Sequence, residues 1–194
     1  MEKKVCVIDG HPDPGEERYI HALCKAYSQG ARSGGHRVET INVAEIAPQP
    51  LQTIEAFSQP PSPIYREQQE KIEWADHVML AFPLWLGSMP AATRALFEQI
   101  ACGNFFLQTG GSETNWPRKM MKGKSARVIV TMGMPALVYR TLMGGASLKA
   151  LERGMLGISG FKRVRHTIIG GVESSDKKRL KWLSEVADLG RSAI

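Results

Sequence analysis

The stretch VMLAFPLWLGSMPAATRALFEQI, Val78 to Ile100, decides the fold. Its first five residues, Val78-Met79-Leu80-Ala81-Phe82, form an unbroken apolar run, the mark of a strand buried on both faces inside a parallel sheet. Its second half has Pro90 near a helix start, Ser88 as a candidate cap, and Ala92, Leu96 and Ile100 at i, i+4 and i+8, which predicts a helix from Pro90 to Ala101. Between strand and helix lies FPLWLGSMPA, Phe82 to Ala91. A chain leaving a sheet normally turns polar there, yet this one keeps a tryptophan, two leucines and two prolines.

Outward from that unit the same alternation recurs. Val5-Cys6-Val7-Ile8 and Val128-Ile129-Val130 are further apolar runs of interior-strand type, while Val38-Glu39-Thr40-Ile41 and Val164 to Ile169 are mixed and predict edge strands. Helical patterns fall at Glu16 to Ser33, Ile64 to Ala75, a region near Leu142 to Met155, and Asp176 to Leu189. With strands one, three and four interior and two and five outside, the pattern predicts an α/β fold with a doubly wound five-stranded parallel sheet. Its order is 2-1-3-4-5, the flavodoxin-like arrangement. A Rossmann dinucleotide domain would need GxGxxG after the first strand, and that motif is absent.

With 194 residues, 43% hydrophobic and 23% charged, the chain fits one domain, residues 1–194, with a real core. No apolar run reaches membrane-spanning length and the N-terminus has no signal-peptide cleavage region, so a cytoplasmic protein without membrane insertion is expected. Cys6, Cys24 and Cys102 are odd in number and widely spaced, which favours core thiols over disulfides or a CxxC site. The net charge of +6 favours an anionic partner, but the basic residues are dispersed and accompany no nucleic-acid motif, so a phosphate-bearing small molecule satisfies that charge as well as RNA would. Two long connections stand out. Pro48 to Pro63 carries five of the eleven prolines and is expected to be extended, and Gly103 to Lys124 holds Phe105, Phe106 and Trp116 near a basic run.

In a 2-1-3-4-5 sheet, ligands bind at the carboxyl ends of strands one and three, where the order reverses. Three turns reach that crevice. Gly10 to Tyr19, GHPDPGEERY, leads into a helix whose first N–H groups suit a phosphate, although Glu16 and Glu17 fit an ordinary capped helix start equally well. In the Pro83 to Pro90 turn, Leu84 and Trp85 favour either a flat aromatic ligand or another part of the core, and Gly87 permits close approach. The third turn, Met132 to Tyr139, follows Thr131 and contains Gly133, with Tyr139 open to a catalytic or a structural role.

These residues resemble the flavodoxin-like NAD(P)H:quinone oxidoreductase family, which includes DT-diaphorase-type enzymes and related bacterial oxidoreductases. The resemblance runs over nearly the whole chain, through His11, FPLWLGSMPA, and Thr131-Met132-Gly133 with Tyr139. It implies a bound flavin, FMN rather than FAD because the chain lacks the length for a C-terminal extension. The phosphate would lie at His11, Glu17, Arg18 and Tyr19, and the ring against Pro83, Leu84, Trp85, Leu86 and Gly87. Thr131, Gly133 and Tyr139 would flank its polar edge, with Tyr139 the catalytic candidate. The implied activity is ping-pong hydride transfer from NAD(P)H through the flavin to a quinone-like or other electrophilic small-molecule acceptor, in a homodimer with the Phe105 to Trp116 loop as candidate contact.

Two departures from the family stand out. Arg140 to Ser147 lacks the histidine that members often place after the tyrosine, and the first turn lacks their Ser and Asn residues. The alternative within the resemblance is a flavin-binding ancillary subunit regulating a potassium efflux system. A zinc deacetylase is the rival suggested by His11-Pro12-Asp13, but Pro14 follows Asp13 and His21, His36, His77 and His166 give no ligand-pair spacing, so no metal is expected.

Overall fold

The computed structural model describes residues 1–108 and 116–194. In chain order the elements are β1 (Lys4–Asp9), α1 (Tyr19–Ser33), β2 (Arg37–Asn42), α2 (Val43–Ile46), α3 (Ile54–Ser58), α4 (Pro63–Trp74), β3 (His77–Pro83), α5 (Ala91–Ala101), β4 (Leu107–Gln108) and β5 (Arg118–Lys119). There follow β6 (Ser125–Met132), α6 (Ala136–Thr141), α7 (Ala146–Lys149), a π-helical segment (Ala150–Gly157), β7 (Arg163–Gly170) and α8 (Asp176–Ser192).

The main sheet runs β2-β1-β3-β6-β7 with every pair parallel. This is the expected doubly wound order 2-1-3-4-5, because β4 and β5 pair only with each other as a separate antiparallel ribbon. Alternate strand residues supply two cores. Val5, Val7, Met79, Ala81 and Ile129 pack under Ile20, Leu23 and Tyr27 of α1 and Val186 of α8. Cys6, Ile8, Val78, Leu80, Phe82, Val128 and Val130 pack against Ile72 of α4, Leu96 and Ile100 of α5, and Leu151 and Leu156. The apolar runs read from the sequence are continuous because both faces are covered.

On the first face α1 and α8 cross with almost no space between backbones. A Cβ on Gly30 would lie 1.9 Å from the carbonyl oxygen of Ala187, and one on Gly190 would lie 2.1 Å from that of Tyr27. All three cysteines are buried free thiols, and burial pushes Cys6 up to about 12.

Several sequence expectations need correction. The helix expected from Glu16 starts at Tyr19, so Glu16 and Glu17 lie in the preceding turn and the first helical turn contains no acid. Ser88 does not cap α5, which begins at Ala91 after Pro90. The proline-rich connection includes helix α3, capped by the Thr53 hydroxyl accepting from the Ala56 N–H. The helix expected over Leu142 to Met155 is broken, because Gly144 and Gly145 adopt φ of +61° and +60°, a left-handed conformation that ends α6 before α7 restarts. Part of the Phe105 to Trp116 loop, residues 109–115, lies outside the described residues. Among the described residues no helix is long and apolar enough to cross a membrane.

Candidate functional site

The crevice opens where the sheet order reverses between β1 and β3. Gly10 leaves β1 with its N–H donating to the Ala81 carbonyl at 2.8 Å, and its own carbonyl accepts from the Thr93 hydroxyl at 2.6 Å. A Cβ at Gly10 would sit 2.7 Å from the Ala81 oxygen, so only glycine fits between β1, β3 and α5.

The following turn is tied internally by side chains. The His11 N–H donates to Asp9 Oδ1 (3.1 Å), the Asp13 N–H to His11 Nδ1 (3.1 Å), and the Gly15 N–H to Asp13 Oδ1 (2.8 Å). Because His11 Nδ1 accepts a backbone proton, the neutral ring carries its own proton on Nε2. Burial, then repulsion from His21, lowers the His11 pKa and keeps it in that neutral form. The residue is 8% exposed, and its ring meets Trp85 edge-on, with centroids 5.7 Å apart.

His21, in the first turn of α1, is the residue that sequence reasoning missed. Its Nδ1 lies 2.6 Å from Asp9 Oδ2 and its Nε2 2.9 Å from the Asp13 carbonyl. A carbonyl and an ionised carboxylate only accept, so both ring nitrogens donate and His21 is an imidazolium. Burial works against that charge, and the bonds to Asp9 and to the Asp13 carbonyl outweigh it and raise the pKa. Arg18 is held by Asp13 (2.7 Å) and Glu17 (3.1 Å). The Gly15 N–H above all, and Arg18 after it, hold the Asp13 carboxyl below its ordinary value. Tyr19 points back to α8, where its hydroxyl donates to the Arg179 carbonyl at 2.9 Å, and burial pushes it up to about 12. No side chain caps α1; the His21 N–H turns back to the Arg18 carbonyl at 3.0 Å, and the N–H groups of Tyr19 and Ile20 have no acceptor among the described residues.

The second turn is a tight reversal. Trp85 and Ser88 exchange N–H to carbonyl bonds, both 2.9 Å, while Leu86 and Gly87 take φ of +47° and +79°, the signature of a type I′ turn. The Leu84 N–H is used by the Thr131 carbonyl at 2.7 Å. Trp85 stays 47% exposed and Leu86 projects fully into solvent. The tryptophan is thus neither core nor free surface.

The third turn leaves β6 at Thr131, whose side chain is 5% exposed and whose hydroxyl has no partner among the described residues. Tyr139 is fully buried, and its hydroxyl accepts the Leu148 N–H at 3.2 Å. Its ring lies beneath the chain at Gly145, away from the crevice.

The turns enclose a cleft of about 330 Å³ lined by His11, Tyr19, Ile20, Pro83, Leu84, Trp85, Thr131, Met132, Gly133, Val172 and Glu173. Seven residues singled out in the sequence meet there: His11, Tyr19, Pro83, Leu84, Trp85, Thr131 and Gly133. Glu17, Arg18, Leu86, Gly87 and Tyr139 do not line it. Val172 and Glu173 were not anticipated, since they arrive from the turn after β7, which no motif marks. A larger groove of about 570 Å³ runs beside the β2 edge between α1 and α4. It is lined mainly by polar and charged side chains, and none of the three turns' apolar residues reaches it.

The model of a family described by its flavodoxin-like fold matches residues 3–189. Among curated proteins, human ribosyldihydronicotinamide dehydrogenase (quinone) is 30% identical over 149 residues, 74% of this chain and 63% of that protein, and its mouse counterpart is 30% identical over 121 residues, 59% and 50%. The chain therefore spans about half to under two thirds of the length of these relatives. A Haemophilus influenzae NAD(P)H oxidoreductase, described as uncharacterized, is 24% identical with 93% and 90% coverage. Among solved structures, a Methanothermobacter marburgensis NAD(P)H:quinone oxidoreductase superposes with a TM-score of 0.80 at 21% identity, covering 99% and 97% of the two chains. A Bacillus anthracis FMN-dependent NADH-azoreductase in complex with FMN superposes with a TM-score of 0.74 at 14% identity, covering 96% of each chain. At these identities the two structures establish a common fold.

Proposed function

Because the chain belongs to the family of the flavodoxin-like fold, we propose that it is a cytoplasmic FMN-dependent NAD(P)H oxidoreductase that reduces a quinone-like or other electrophilic acceptor. One observation carries the proposal. Two polar groups of mostly buried residues, the His11 Nε2–H and the Thr131 hydroxyl, have no hydrogen-bond partner among the described residues and line one cleft with the half-exposed Trp85. Neither atom is sealed from solvent, so each is open to bond a ligand that enters the cleft. The donor set fits a flavin, which needs an anion-binding end, a flat apolar wall and a polar contact at the ring edge.

His11 Nε2–H and the uncapped start of α1 would hold the phosphate, with the His21 imidazolium supplying positive charge behind them. Arg18 contributes indirectly by neutralising Asp13 and Glu17. Pro83, Leu84 and Trp85 would cover one ring face, with burial contributing about 25 cal/mol per Å² of apolar area. The N–H groups of Leu86 and Gly87, unlike those of Leu84 and Trp85, have no acceptor among the described residues and remain available to ring heteroatoms. Thr131 and Gly133 would meet the polar edge, and Tyr139 acts as a positioning residue that fixes the α6 to α7 turn. A bound flavin supplies the hydride chemistry, and these residues bind, orient and exclude water.

The exposed Leu137, Val138, Leu142 and Met143 form an apolar rim on and just after α6, with Met143 reaching the turn at Gly87, and a second copy of the chain would cover it in a homodimer. FMN titration followed by anaerobic addition of NADPH or NADH tests the function. Binding and bleaching of the flavin spectrum are expected. Binding without bleaching overturns the enzymatic assignment, and no binding overturns the cofactor.

A further inference from the structure

The net charge of +6 is not used by the crevice, whose lining holds no lysine or arginine and one acid, Glu173. The excess gathers at the opposite, amino-terminal end of the sheet. There a cavity of about 350 Å³ lies at the starts of β3, β6 and β7, lined by Lys3, Lys124, Lys162, Arg163 and Arg165 with Asp76, His77 and Ser125. Asp76 is committed, its Oδ2 accepting the Lys4 N–H at 2.9 Å. Ile194 also borders the cavity, and its backbone oxygen accepts from Arg127. Lys3 and Lys124 are anchored to the carbonyls of Ala193 and of Glu73 and Ala75. The side chains of Lys162, Arg163 and Arg165 have no partner among the described residues.

The floor of this cavity has a directed donor. His77 and Ser125 are register partners on adjacent strands, and Ser125 pairs in turn with Arg163 on β7. His77 Nδ1 lies 2.7 Å from Ser125 Oγ, and His77 Nε2 lies 2.9 Å from the Tyr27 hydroxyl. Tyr27 and His77 are fully buried. If His77 donated through Nε2, the tyrosine proton would be left buried with no acceptor, which is costly. The satisfied arrangement has Tyr27 donating to Nε2 and Nδ1–H donating to Ser125 Oγ. The Ser125 proton then has no acceptor among the described residues and is free to donate into the cavity.

We propose that this cavity is a second anion site, distinct from the crevice, which takes a small ligand through its diphosphate group, with Ser125 as donor and Arg163 and Arg165 as paired cations. A multiply charged oxoanion suits several unpaired cations around one hydroxyl donor. Apart from His77 no aromatic ring lines the cavity, so there is no surface on which nucleic-acid bases would stack, and its volume suits a small molecule.

Titration calorimetry of the full chain with inorganic pyrophosphate, with and without saturating FMN, tests this. Pyrophosphate is expected to bind equally in both conditions. The exposed double variant R163A/R165A should bind at least about tenfold more weakly at an unchanged melting temperature, S125A should weaken binding and also lower the melting temperature because the His77 Nδ1–H loses its acceptor, and His11→Ala should leave binding intact. Binding that FMN displaces, that His11→Ala abolishes, or that survives R163A/R165A would overturn the proposal. So would duplex DNA binding more tightly than pyrophosphate with the same arginine dependence. The His11 arm keeps this test independent of whether the crevice takes a flavin.

Discussion

His21 and Asp9 form an ion pair at 2.6 Å across the exit of β1, and the other nitrogen of His21 holds the Asp13 carbonyl at 2.9 Å. One imidazolium thus ties the strand end to the turn that shapes the crevice. Its pKa is raised in the folded chain, so its contribution to stability is fully present below the ordinary histidine value near 6.5 and is lost as pH rises through the raised value. Melting temperature should therefore decline on the alkaline side of neutrality, and His21→Gln should flatten that decline while lowering stability most at acidic pH. A His21→Gln profile parallel to the parent's would show that the pair does not carry the charge.

His77 predicts the opposite slope at the other end of the sheet. Burial first, then Lys3 and Arg127, lower its pKa from 6.5 to about 3. A histidine held neutral in the fold contributes stability above its unfolded value and loses it as pH falls toward the folded one. Between pH 6.5 and about 3 the loss approaches about 4 to 5 kcal/mol. Denaturant midpoints across that range should fall steeply for the parent and less steeply for His77→Gln. His11, also lowered, adds to the same slope, so the two variants combined should flatten it further.

Gly30→Ala should be strongly destabilising despite being a favourable change for an isolated helix. Alanine is preferred over glycine in a helix interior by about 1 kcal/mol. The added methyl would lie 1.9 Å from the Ala187 carbonyl oxygen, so α1 and α8 would have to separate. Overpacking of this kind costs about 1–3 kcal/mol, and contact with a backbone atom leaves no flexible side chain to yield. A chemical-denaturation midpoint equal to the parent's would show that the crossing is looser than these contacts require.

The sheet was legible because its strands announce themselves twice, by continuous apolar runs such as Val78 to Phe82 and by the helices between them. What escaped detection is short-range or distributed. Gly144-Gly145 breaks a helix whose hydrophobic spacing continues across it, and periodicity does not register backbone handedness. His21 looks like an ordinary helical residue in sequence, since its partners Asp9 and Asp13 lie twelve and eight positions away and meet it only when the turn closes. Tyr139 was marked by its place after Met132-Gly133, but sequence gives no sign that its hydroxyl is taken by the Leu148 N–H. His77 opens β3, directly before the apolar run Val78 to Phe82. Its link to Tyr27 depends on α1 folding over β3, fifty positions away in sequence.

Leu86 combines two unfavourable features, a positive φ of +47° and full exposure of an apolar side chain. A non-glycine residue in the left-handed region costs about 1–2 kcal/mol. Glycine relieves that strain, although its freer unfolded chain returns about 0.5–1 kcal/mol of the gain. With no burial to lose, Leu86→Gly should leave the unliganded chain as stable as the parent or more stable by about 1 kcal/mol. The leucine then has a reason to exist only in a complex, where it would cover the flavin edge or face a second subunit at the apolar rim. FMN affinity or dimer dissociation should accordingly weaken in Leu86→Gly while thermal stability without ligand does not. A variant that unfolds earlier than the parent, with both FMN and self-association unchanged, would place Leu86 in the packing of the turn itself and remove it from the proposed site.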